Sequence, residues 1–106
     1  MIYVNIDEKL YPATIRGRVS DKEWDGRESK EITIKADFAT VNELFFDGVI
    51  WSIVEDVENE SSKVQYDNSE FCIRGDLTIH IDGSCTVKMG KPTDLENAYE
   101  VIYGGI

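Results

Sequence analysis

Between Phe71 and Met89 the apolar residues, Cys72 apart, keep to odd positions. Phe71, Ile73, Leu77, Ile79 and Ile81 alternate with Arg74, Asp76, Thr78, His80 and Asp82; beyond Asp82-Gly83, Cys85, Val87 and Met89 alternate with Thr86 and Lys88. Period-two alternation predicts strands with one dry and one wet face. The shared parity also constrains the connection, because a two-residue loop at Asp82-Gly83 would pair Ile79 with Thr86 and mix the faces. The pattern therefore predicts the loop Ile81-Asp82-Gly83, a type I turn closed by Gly83 in the left-handed region, with Ile79 opposite Cys85 and Leu77 opposite Val87. Gly75, inside Arg74-Gly75-Asp76, reads as a strand bulge rather than as part of a cell-adhesion tripeptide. Next, Pro92, the capping box Thr93-Asp94-Leu95-Glu96 and the stripe Leu95, Ala98, Tyr99 and Ile102 predict a helix over about 94–103, ended by Gly104-Gly105. Packed on the dry face of the hairpin, that stripe would gain roughly 1.5–3 kcal/mol for each large apolar side chain buried.

The first half reads in a similar order. Ile2, Val4 and Ile6 mark a strand, Asp7-Glu8-Lys9 turns the chain, and a second strand runs from about Tyr11 to Val19 with Pro12 near its start. Ser20 to Lys30 is polar and charged and reads as a long loop. Ile32, Ile34 and Ala36 mark a third strand, and Thr40-Val41-Asn42-Glu43 a capping box for a short helix that places Val41, Leu44 and Phe45 on one face before Gly48. Val49 to Val57 is apolar on both sides, as expected for the middle strand of the sheet, and Val64 to Tyr66 extends a hairpin from it through a solvated loop around Asn59 to Ser62.

The expected fold class is α+β: a β-rich domain of mostly antiparallel strands with two short capped helices, occupying residues 1–106 as a single domain. The order also suggests a duplicated β-β-β-α unit, with pseudo-repeats 1–48 and 49–106. Residues 32–46 laid on 85–99 match Thr33 to Thr86, Lys35 to Lys88, Thr40 to Thr93 and Glu43 to Glu96; Ile15-Arg16-Gly17 recurs as Ile73-Arg74-Gly75.

Charge narrows the function classes. The formal net charge of −10 argues against nucleic-acid binding, which needs a concentrated basic face, and the 11 basic residues are scattered. With no apolar stretch long enough for a bilayer and no basic, apolar leader at Met1 to Asp7, a soluble protein that folds inside the cell is expected. Cys72 and Cys85 have opposite parity, so they are expected as free thiols on opposite faces. The candidate chemistry thins out on inspection. His80 sits alone on the wet face, one His and two opposed Cys do not make a zinc site, and Glu55, Asp56, Glu58 and Glu60 lack the glycine and terminal Glu of a calcium loop. No catalytic residue, cofactor or metal is therefore assigned. Trp24, in the long polar loop beside Arg27, is the candidate interface residue. Near Tyr3 or Tyr11 it would anchor a partner; the alternative is a loop tryptophan folded back onto the core.

At Trp24 to Lys30, at Trp51-Ser52-Ile53-Val54, at Tyr66-Asp67-Asn68-Ser69-Glu70 and across Val87 to Asp94, the chain resembles uncharacterised proteins encoded in prophages of Gram-positive bacteria. Such proteins tend to lie among virion morphogenesis genes. The resemblance implies a non-enzymatic structural or assembly protein of head, connector or tail, partnered by itself as a homo-oligomer or by other virion proteins. The alternative is an acidic inhibitor or binding module aimed at a basic host protein, which would gather carboxylates on one face.

Overall fold

Alternating segments become strands where neighbours complete their ladders. In the computed structural model, which describes residues 2–56 and 63–93, they are β1 (Ile2–Ile6), β2 (Lys9–Asp21), β3 (Arg27–Ile34), β4 (Ser52–Asp56), β5 (Lys63–Asp67), β6 (Ile73–Ile79) and β7 (Cys85–Gly90). A 3-10 turn (Lys22–Trp24) joins β2 to β3, and helix α1 (Phe38–Leu44) follows β3. The strands form one antiparallel sheet in the order β5-β4-β1-β2-β3-β7-β6. The fold is broadly α+β and β-rich, as the pattern predicts. The second expected helix, over 94–103, and the loop around 59–62 lie outside the described residues.

The core sits on one face of this sheet. Val4 and Ile6, Ile32 and Ile34, and Cys85, Val87 and Met89 are buried there beneath Val41 and Phe45 from the α1 region and Val49, Trp51 and Phe71 from the connections. Phe45 meets Trp51 edge to face, with centroids 5.7 Å apart, and Trp51 Nε1 donates to Phe71 O at 3.0 Å. That bond satisfies the indole N–H in a site otherwise apolar, which an unpartnered donor would destabilise.

The β6–β7 hairpin has the expected register: Ile79 is opposite Cys85 and Leu77 opposite Val87. His80 N donates to Ser84 O, Gly83 N donates to His80 O, and Gly83 has φ +89°. Parity forced an odd loop, and glycine supplies the left-handed residue that closes it. The expected bulge is also present, as a register shift between Arg74 and Leu77.

That bulge corrects one assignment. Arg74 was expected on the wet face, but the extra residue inverts the parity upstream and sets Arg74 opposite core residue Met89. Its Nη1 donates to Phe45 O at 2.9 Å and to Asn42 Oδ1 at 3.0 Å, closing the C-terminal end of α1.

Other expectations are corrected too. Ser20 to Lys30 is not a long loop: β2 continues to Asp21 and β3 begins at Arg27. Arg27 and Ser29 are buried on the face opposite Ile32 and Ile34, so both faces are covered at this end and polar residues occupy strand positions. The central strand is β2; β4 lies next to the β5 edge. The two-sided apolarity of Val49 to Val57 arises because Val49 and Trp51 enter the core before β4 begins, while Ile50 is exposed. Pro12 sits where β2 passes from pairing β1 (through Lys9 to Pro12) to pairing β3 (from Ala13), so its missing N–H interrupts neither ladder at mid-length. Helix α1 is capped by Asp37, whose Oδ1 accepts from Thr40 N at 2.9 Å, so Thr40 is the third residue of the helix rather than its cap. By contrast, Cys72 and Cys85 are both free thiols, as expected, with Cys85 buried and Cys72 half-buried.

Candidate functional site

Asp21 ends β2 and builds the turn that carries Trp24. Its carboxylate accepts from Glu23 N at 3.1 Å and pairs with Lys88 Nζ at 2.8 Å, although only 1% of the residue is exposed. The Lys88 ammonium is the main reason its pKa lies below the ordinary aspartate value; burial opposes the shift and the Glu23 N–H adds to it. Asp25 and Gly26 then take left-handed conformations, and Gly26 N donates to Asp21 O at 2.8 Å.

This turn folds Trp24 back over β6 and β7. A Cβ on Gly75 would lie 2.8 Å from the indole ring, and one on Gly90 also 2.8 Å from it and 2.6 Å from Arg27 Cδ. The ring therefore occupies space that a side chain at either of these two positions would fill. Arg27 stacks on the ring with Cζ 4.8 Å from its centroid, and Lys88 Nζ lies 5.9 Å away. Arg27 Nη1 also donates to Lys91 O at 2.9 Å. The structure thus brings the two candidate interface residues together, with Trp24 half-buried and Arg27 buried.

Tyr3 and Tyr11 do not join them. Tyr11 lies near the opposite end of β2 from Asp21, roughly 30 Å away at strand rise. The signal for the folded-back tryptophan was present in the sequence as Gly75 and Gly90, whose missing side chains make its berth. Only the tertiary fold shows that both face residue 24.

Beside Trp24, the wet face of β2, β3, β7 and β6 forms an open polar concavity of about 450 Å³. Thr14, Thr33, Thr86 and Thr78 stand in one row across the strands, and Arg16, Glu31 and Lys88 in the next. Thr86 Oγ1 lies 2.7 Å from Thr33 Oγ1 and 2.6 Å from Nε2 of exposed His80. A base is therefore within reach of a hydroxyl. Nucleophilic catalysis also needs a group to orient the imidazole, and Asp82 instead accepts from Ser84 N and Oγ at 2.9 and 2.7 Å. The bonding is that of a cross-strand hydroxyl row, with basic and acidic residues mixed beside it. Among the described residues, no group of His, Cys, Asp and Glu is clustered to hold a metal ion, and no helix is long and apolar enough to cross a membrane.

No protein-family model, curated protein sequence or solved structure matches the chain.

Proposed function

We propose that this protein is a non-enzymatic structural or assembly component of a phage or prophage particle, in its head, connector or tail, and acts through protein–protein contacts with itself or other virion proteins. The observation that carries the reading is the sheet, in which, among the described residues, β5 and β6 are the edge strands. An open edge is a template for a neighbouring chain. Exposed Phe38, Phe46, Ile50, Ile79 and Ile81 add apolar surface of the kind that interfaces cover. The acidic-inhibitor alternative has less support on the polar face, where Arg16 and Lys88 stand among Glu31 and Asp76 rather than leaving a carboxylate array.

The test is co-expression with the products of neighbouring genes, followed by crosslinking and light scattering. Assembly with itself or with one of those products supports the reading. A strict monomer at high concentration, with no partner among them, overturns it in favour of the acidic binding module.

A duplicated β-β-β-α unit, with pseudo-repeats 1–48 and 49–106, belongs to the same proposal. Thr33 and Thr86 are directly opposed in the β3–β7 ladder, and the flanking pairs Ile32–Val87 and Ile34–Cys85 are related by a local two-fold through them. Their separation, 86 − 33 = 53, is the offset of the sequence match. The same two-fold relates Thr14 to Thr78 and Ile15 to Ile79, so it does not relate Ile15-Arg16-Gly17 to Ile73-Arg74-Gly75.

A further inference from the structure

We propose that β5 is the seam through which the protein dimerises, a second copy adding its own β5 antiparallel about a two-fold axis at Gln65. This rests on the assembly reading and specifies its surface. Among the described residues β5 pairs only with β4. Asn68 N donates to Trp51 O at 2.9 Å, continuing the β4–β5 ladder. Alternate residues of a strand aim their backbone groups at opposite neighbours, so Tyr66 and Val64 address β4 while Asp67, Gln65 and Lys63 turn theirs outward.

The sequence of β5, Lys63-Val64-Gln65-Tyr66-Asp67, is complementary to itself when reversed. Pairing about Gln65 sets Lys63 opposite Asp67 of the second copy, joining unlike charges at both ends. It sets Val64 opposite Tyr66 of the second copy. Through Tyr66–Ile53 these residues belong to the core-side face of the sheet, yet they are 39% and 52% exposed. In this register they are non-hydrogen-bonded pairs, in which side chains approach most closely. The residues with outward backbone groups form the hydrogen-bonded pairs, each exchanging two bonds.

The other edge is less suited. The bulge between Arg74 and Leu77 interrupts β6, Asp47 Oδ1 accepts from Arg74 N at 2.7 Å, and Gly48 N donates to Cys72 O at 2.8 Å. Bulges and covering loops are how natural sheets close an edge.

The test is sedimentation velocity over a range of concentrations on the full chain and two variants, with circular dichroism to show that each is folded. Gln65→Pro removes an outward N–H and should abolish the dimer. Lys63→Glu places like charges across the seam and should raise the dimer dissociation constant at least about tenfold, a second readout should the proline variant not fold. Separately, Gln65→Cys in a Cys72→Ser background should form an intermolecular disulfide on mild oxidation, because hydrogen-bonded antiparallel pairs have Cα atoms about 5.5 Å apart, within disulfide reach. Dimers that persist in folded Gln65→Pro or unchanged in Lys63→Glu, or that fail to crosslink through Cys at 65, overturn the β5 seam while leaving self-assembly standing. A wild-type monomer that binds a neighbouring virion protein overturns the seam alone, and a monomer that binds none overturns both proposals.

Discussion

Trp24 owes its position to the bare backbones of Gly75 and Gly90 beneath its ring, far away in the chain, and to the guanidinium of nearby Arg27 on it. Its removal is a packing loss as well as a surface change. Trp24→Ala should lower stability by about 2–3 kcal/mol in urea titrations, less than a fully buried tryptophan because the ring is half-buried. Of the two readings open for Trp24, partner anchor or folded-back ring, its contacts with Gly75 and Gly90 are those of a ring folded back onto the sheet. Gly90→Ala, which drives a methyl group into Arg27 Cδ and the ring, should lose about 1–3 kcal/mol by overpacking. The turn between β1 and β2 offers the opposite sign. Asp7 and Glu8 both have positive φ, 52° and 65°, in a two-residue hairpin loop whose second position favours glycine. Glu8→Gly should therefore raise the unfolding free energy by about 0.5–1 kcal/mol, measured in the same titrations.

At the level of elements, carboxylates hold the connections. Asp21 holds the 3-10 turn, Asp37 caps α1, Asp67 bonds Ser69 after β5 and Asp82 bonds Ser84 in the β6–β7 turn. Each has a pKa below 3.8, led by the bond from Lys88, Thr40, Ser69 or Ser84 respectively. A carboxylate with a depressed folded pKa takes up protons more readily when the chain is unfolded. Its contribution is present above the unfolded value and is lost as pH falls through the folded one. Denaturant midpoints should therefore hold down to about pH 4 and then decline steadily, and Asp37→Asn, which keeps a capping oxygen without a titrating group, should flatten part of that decline. Arg74 ties β6 to α1 through Phe45 O and Asn42. Arg74→Ala should destabilise by about 1.5–3 kcal/mol, with hydrogen exchange rising first at the end of α1.

For the whole molecule, the sheet sets what can be covered and what is left open. The side of the sheet that carries Val4, Ile32 and Val87 is filled by α1 and by Phe71 and Trp51, so the core is continuous across β1, β3 and β7. The other side is polar along β2, β3, β7 and β6 except where Trp24 lies on it. Free Cys72 and Cys85 should both titrate as thiols in denatured, unreduced protein, and finding neither would contradict this packing.

Local pattern alone determined the strand at Ile2–Ile6, the β4–β5 hairpin, the helix near Val41 and the register of the β6–β7 turn, because side-chain parity and a left-handed glycine leave few alternatives within one hairpin. What the pattern left undetermined depended on partners distant in sequence. Arg27 to Lys30 reads as loop until Trp24 covers one face of that strand and Phe71 lies under Lys30 on the other. Arg74 reads as solvent-facing until one inserted residue inverts its side. Val49 to Val57 reads as central until the strand order puts β2 in the middle. Alternation records which side of a strand is dry, but strand order and the covering of each face are set by contacts between segments, and no single segment encodes those.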